Sequence, residues 1–251
     1  MQFLNLLKKY LVDSQLFVAL CGTALALFFM LEQNMLRWPT VLLIFITFWS
    51  GYLYTKYQHS IHFKKILVIN ILAGIISSIL IFLNHNEIRL VKWLVIVLLG
   101  LLYNSFFLEK FVRKIPLLKV FYVGLTWALI NSWLILPQFS LPIFLISWLF
   151  VTALVLPFDI RDMNDDEVVT FPKIIGVQNT KYVAYLLVSV AAILAVYHVK
   201  PEFSTAIFLT SMITFGLSYF SENTCKDSYF SFWVELCTAL PLLFLILIRY
   251  F

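Results

Sequence analysis

The sequence predicts an all-α polytopic membrane protein, a single bundle of about nine transmembrane helices, and three observations lead there. Of 251 residues, 62% are hydrophobic and only 12% charged, with a mean hydropathy of +0.95, whereas a soluble domain carries roughly 25% charged residues. That leaves too little polar material to cover a water-facing surface. Apolar stretches close to the ~20 residues needed to cross a bilayer core recur along the whole chain. The basic residues, finally, fall unevenly between the connections.

Taken in order, the first stretch covers residues 14–31 and follows Lys8 and Lys9. A basic pair before an apolar run is also how a signal peptide begins, but no A-x-A-like cleavage site follows, so an uncleaved first helix is expected. Ahead of it, "FLNLLKKYL" sets Leu4, Leu7 and Leu11 on one face, as in a short interfacial helix. The remaining stretches are 39–54, 66–83, 90–108, 115–136, 141–158, 181–197, 203–220 and 230–250. Repeats, low-complexity runs and linkers are missing, so residues 1–251 read as one transmembrane domain.

With a cytoplasmic N-terminus, thirteen of the 18 Lys and Arg residues fall on inside segments and five on outside ones. That bias follows the positive-inside rule and points to an integral protein of the cytoplasmic (inner) membrane, N-terminus inside. The net charge of +5 therefore reports orientation and contact with membrane lipids, not nucleic acid. Cys21, Cys225 and Cys237 show no metal-ligand spacing and read as small apolar fillers.

Against this apolar background, "LPFDIRDMNDDEVVTFPK" places Asp159, Asp162, Asp165, Asp166 and Glu167 directly after a long apolar run. Asp159, Asp162 and Asp166 form D-x-x-D-x-x-x-D, and on helical turns such spacings share a face. Carboxylates this close repel unless a cation sits among them. Hard oxygen ligands suit Mg²⁺, which binds through one or two carboxylates plus substrate phosphates. Arg161 and Lys173 stand beside them as phosphate contacts. The pattern suits a lipid diphosphate held through Mg²⁺ at the mouth of a helix bundle. A solvated loop that merely stops the helix is the other reading, and Asp165 and Glu167 fit it well.

"FDIRDMNDD" resembles the second aspartate-rich motif of the UbiA family of intramembrane prenyltransferases, and "TFPKIIGVQNTKYV" resembles the segment that follows it there. "RKIPLLKVFYVGLTWAL", residues 113–129, is similar to that family's stretch after its fourth helix. The resemblance implies nine helices, cytoplasmic active-site loops and Mg²⁺ held against an isoprenoid diphosphate whose prenyl group is transferred to an acceptor. By position it implies Asp159, Asp162 and Asp166 as Mg²⁺ ligands and catalytic residues. Arg161, Lys114, Lys119 and Lys173 would contact the phosphates.

The likeness breaks at the end of the second span. The family's first motif, N-x-x-x-D-x-x-x-D, is replaced by "FWSGYLYTKYQHSIHFKK", and no carboxylate occurs between Glu32 and Glu87. Tyr54 and Gln58, or positions near them, stand where acids are expected. Lys56, with Lys64, Lys65, His59 and His62, offers fixed positive charge in place of a second metal ion; plain positive-inside charge is the alternative. Among polar residues inside spans, Glu235 is a functional candidate because an intramembrane acid is expensive, while Asn70, Asn104 and Asn131 read as helix–helix hydrogen bonds. Three functions follow: a prenyltransferase for an isoprenoid diphosphate; a catalytically lapsed relative that binds a polyprenyl lipid or a partner protein; and a small transporter. The last is disfavoured because paired Gly- or Pro-broken helices are missing.

Overall fold

The computed structural model describes residues 12–104, 115–164 and 168–250. The expected interfacial helix, Lys114 and Asp166 lie outside these residues. In chain order the helices are α1 (Leu16–Glu32), α2 (Trp38–Tyr57), α3 (Phe63–Leu83), α4 (Glu87–Asn104), α5 (Leu118–Leu129), α6 (Leu141–Arg161), α7 (Phe171–His198), α8 (Pro201–Tyr219) and α9 (Leu240–Tyr250). A π-turn, Ile130–Leu134, prolongs α5, and a second, Tyr229–Val234, leads toward α9. Helices α2, α6, α7 and α8 each carry proline in the first turn, where its missing N–H is no loss and its fixed φ suits the helix.

Each stretch expected to span overlaps a helix among the described residues. Three helical runs, Phe63–Leu83, Leu141–Asn164 and Phe171–His198, are long and apolar enough by themselves to cross a membrane. Several boundaries shift from expectation, and two of these shifts bear on the site. Helix α6 continues through Pro157 to Arg161 instead of ending at 158. Helix α7 starts at Phe171, ten residues early, and bends at Gly176, whose φ of 80° is one that only glycine adopts without strain.

Consecutive helices pack side by side and α9 returns against α1, so the bundle closes into a ring. Helix α3 lies at its edge, with Ile71, Leu72, Ile75, Ile76 and Ile79 exposed. An apolar band of that extent belongs against another apolar phase. This is an integral membrane protein, and the band is its lipid-facing side.

Inside hydrocarbon, backbone groups must find partners within the protein. The first π-turn leaves carbonyls unmatched, and Lys92 Nζ collects those of Trp133 (2.9 Å), Leu136 (2.9 Å) and Pro137 (3.1 Å). Lys181 Nζ does the same for Tyr219 at the end of α8, at 2.7 Å. These two buried lysines are structural.

The α5–α6 contact fixes the site described below. Asn131 Nδ2 donates to Ser147 Oγ at 2.7 Å, and Trp148 Nε1 donates to the Phe121 carbonyl at 3.0 Å. The helices approach closest at Gly124, where an added Cβ would lie 2.2 Å from Thr152 Oγ1 and 3.0 Å from the Trp148 carbonyl oxygen. A hydroxyl can rotate away; a backbone carbonyl cannot. Overpacking of this kind costs about 1–3 kcal/mol, against a helix-propensity gain of ~1 kcal/mol for alanine over glycine. Gly124→Ala is therefore expected to lower the unfolding midpoint of the detergent-solubilised protein. A midpoint equal to wild type would refute the close approach.

Candidate functional site

Asp159 lies in the last turn of α6, and Asp162 opens the short 3₁₀ turn Asp162–Asn164 that ends it. The three-residue separation brings both carboxylates to one side, where Lys119, in the first turn of α5, meets them. Its Nζ is 3.2 Å from Asp159 Oδ1 and 4.0 Å from Asp162 Oδ2. Asp159 is only 1% exposed, so it belongs to the packed end of a helix, not to a solvated loop. A carboxylate this buried stays ionised only beside a cation.

Arg161 covers the other side of Asp162 with two hydrogen bonds, from Nε to Oδ1 at 2.6 Å and from Nη2 to Oδ2 at 3.0 Å. The guanidinium also lies over the rings of Phe158 and Phe230, at 5.2 and 5.7 Å, a cation–π arrangement that holds its plane. Alternating charges thus run from Asp159 through Lys119 and Asp162 to Arg161. Just before α5, Leu117 takes a left-handed conformation (φ 64°) while its N–H donates to the Val169 carbonyl at 3.2 Å. A non-glycine residue held there costs on the order of 1 kcal/mol, and such strain gathers at functional sites. The bond ties the segment leading into Lys119 to the one following the acidic turn.

Deeper in the ring, Trp127 Nε1 donates to the Tyr52 hydroxyl at 3.0 Å, and the Phe48 ring rests on Trp127 at 4.6 Å. Glu235 follows directly on the second π-turn. Glu235 and Tyr52 are both partly accessible.

Of the other expected residues, Lys173 is exposed at the start of α7, with its Nζ 3.5 Å from the Val168 carbonyl. Lys56 is exposed and pairs with Asp13 at 3.4 Å. Gln58 is 4% exposed with neither amide atom hydrogen-bonded, whereas His59 and His62 are exposed. Asn70 bonds back to the Ile66 carbonyl at 3.0 Å. Cys21 and Cys237 are buried and free. Tyr52 and Trp127 are functional candidates that sequence reasoning passes over, since nothing local sets them apart from the other aromatics in the spans.

Whether Mg²⁺ suits this site turns on the donor set. Among the described residues no group of three His, Cys, Asp or Glu side chains is arranged for a metal. Asp159 and Asp162 nevertheless share one ammonium, so a cation position between two hard-oxygen carboxylates exists, marked by Lys119 Nζ. Two carboxylates plus phosphate oxygens form an ordinary Mg²⁺ environment, and the residues fit one such ion.

No protein-family model matches the sequence, and no curated protein matches it. In three dimensions the chain is similar to a UbiA homolog from Archaeoglobus fulgidus bound to GPP and Mg²⁺, with a TM-score of 0.62 and 14% identity over 96% of this chain and 99% of that one. It is also similar to a structure concerning digeranylgeranylglyceryl phosphate synthase in membranes, with a TM-score of 0.58 and 16% identity over 98% of each chain. Both likenesses run the full length of the bundle.

Proposed function

Starting from a chain with a UbiA-like fold, we propose that the protein binds an isoprenoid diphosphate through Mg²⁺ at its acidic end and transfers the prenyl group to an acceptor. The observation that carries this reading is the Lys119 ammonium held between Asp159 and Asp162 at one end of the bundle. The bound GPP and Mg²⁺ of the Archaeoglobus homolog support it. Asp159 and Asp162, with Asp166, would hold the metal, which when bound neutralises charge on the leaving diphosphate. Lys119 and Arg161 supply fixed positive charge and N–H donors for the phosphate oxygens, joined by Lys114 and Lys173. Lys56 takes part only by leaving Asp13. The aromatic walls around Phe48, Tyr52 and Trp127 receive the allylic end and keep water from it. In this reading all nine helices span the inner membrane, and the Asp159 end faces the cytoplasm with the N-terminus.

A second reading, a lapsed relative that binds a polyprenyl lipid or a partner protein without turnover, has two observations in its favour. Lys119 and Arg161 already balance Asp159 and Asp162, and the first acidic motif is missing. Thermal unfolding of the purified protein with geranylgeranyl diphosphate, in Mg²⁺ and in EDTA, tests the diphosphate site. At a ligand concentration 100-fold above Kd the native state gains about 2.7 kcal/mol. Stabilisation that requires Mg²⁺ supports the proposal, and its absence over several chain lengths favours the lapsed relative.

A further inference from the structure

The inside bias of Lys and Arg has five exceptions, Arg37, Arg89, Lys92, Lys200 and Arg249, and they lie at the end of the bundle opposite Asp159. Lys92 meets the Pro137 carbonyl just ahead of α6, while Asp159 lies in the last turn of that 21-residue helix, about 30 Å away. Three of the five are engaged within the protein. Lys92 holds its three carbonyls, Lys200 Nζ donates to the Glu32 carbonyl, and Arg249 pairs with Glu202 at 2.6 Å. Arg89 is not balanced in this way. It is 4% exposed and, among the described residues, forms no ion pair; its side chain bonds one neutral oxygen, Thr40 Oγ1, at 2.5 Å. The other acids of this end do not answer it. Glu32 accepts from Gln33 Nε2, and Glu87 is exposed two positions along α4, a spacing that does not share a face. A buried charge normally has a partner, and here the protein supplies none.

The surroundings add positive charge instead. Arg37 directly precedes α2 and its charge acts on Arg89, which itself lies in the first turn of α4. Both helix N-termini present the positive end of a dipole. Thr40 Oγ1 accepts from Asn84 Nδ2 as well, at 3.2 Å, so its own proton is left to donate. Nε and Nη2 of Arg89 make no hydrogen bond and are not sealed off, so the small surface that the residue keeps is at its guanidinium. The same three helix ends expose Trp38, Phe82, Leu83 and Ile88, side chains suited to the edge of a bilayer.

We infer that the ends of α2, α3 and α4 form a site for the phosphate of a membrane phospholipid, in the leaflet away from Asp159. The Arg89 guanidinium gives the phosphate oxygens the N–H groups that Thr40 leaves unused, the Thr40 hydroxyl donates beside it, and Arg37 adds attraction from the surface. The acyl chains lie along the exposed apolar face of α3. A soluble phosphate would gain nothing from that face, so the occupant is a lipid.

Native mass spectrometry of the delipidated full-length protein in neutral detergent tests this, with dioleoylphosphatidylglycerol, dioleoylglycerol and inorganic phosphate as probes. Wild type is expected to bind one dioleoylphosphatidylglycerol more tightly than any further copy. It should prefer that lipid by about tenfold or more to dioleoylglycerol, which has the same chains and no phosphate. Arg89→Gln is expected to weaken the binding about ten- to a hundredfold, the worth of a hydrogen bond to a charged group. If Arg89→Gln does not fold, Arg37→Gln, at an exposed position, is expected to weaken it about fivefold. Wild-type affinity in Arg89→Gln, or in Arg37→Gln where that variant stands in, would overturn the inference. Equal binding of dioleoylglycerol would do so too, as would displacement of the lipid by millimolar inorganic phosphate, which would make this a site for a soluble anion.

Discussion

Asp159→Asn is expected to abolish the Mg²⁺-dependent stabilisation by geranylgeranyl diphosphate. The substitution conserves volume and removes one charge from a residue that is 1% exposed. The lost shift is the whole linkage gain, about 2.7 kcal/mol at 100-fold excess over Kd. The ligand-free protein weakens as well, because Lys119, 3.2 Å away, loses its nearer partner. Breaking a buried pair costs roughly 3–5 kcal/mol. The effect here belongs at or below the low end, since the Lys119 side chain is 19% exposed and retains Asp162 at 4.0 Å. If Asp159→Asn does not fold, Asp162→Asn at the more accessible carboxylate reads the same loss. A full Mg²⁺-dependent shift in both variants would remove this pair from the metal site.

Lys119→Met is the complementary change, and its expected effect has two signs. Without the ammonium, Asp159 and Asp162 lose the cation they share while Asp162 keeps Arg161, and the added repulsion favours a divalent ion that relieves it. Mn²⁺, followed by electron paramagnetic resonance with no lipid present, is expected to bind the variant at least tenfold more tightly than wild type. Affinity for geranylgeranyl diphosphate should move the other way. Loss of one hydrogen bond to a charged group is worth roughly 1.5–3 kcal/mol, or about ten- to a hundredfold in Kd. Equal Mn²⁺ affinity in variant and wild type would show that Lys119 does not hold the cation's place.

Part of this site was legible in the chain because part of it is local. Asp159, Arg161 and Asp162 lie within four positions, and the helical period alone sets the two carboxylates on one side. The pair between Lys119 and Asp159 joins residues 40 positions apart, and no spacing rule reports it. Lys56, read from the sequence as fixed positive charge in place of a second metal ion, lies 3.4 Å from Asp13, another partner that no spacing rule reports. The helix ends at 158 and 181 were misplaced because hydropathy marks where chain leaves lipid, not where its hydrogen bonding stops. Helix α6 carries Asp159 to the packed end of the bundle before it terminates, and Pro172 starts α7 well outside the apolar run.

What the sequence determined by itself is the solvent and the secondary structure. A chain that is 62% hydrophobic and 12% charged is solvated by lipid, and lipid allows such stretches only as helices, since each backbone group must bond within its own segment. Which polar groups meet was decided by the tertiary structure alone. The ring closes with α9 against α1, and the glycine-close approach of α5 and α6 delivers Lys119 to Asp159. Hydropathy sums along the chain one residue at a time, whereas a charge is stabilised by whatever lies within a few ångströms, and that neighbour is fixed only when the helices pack.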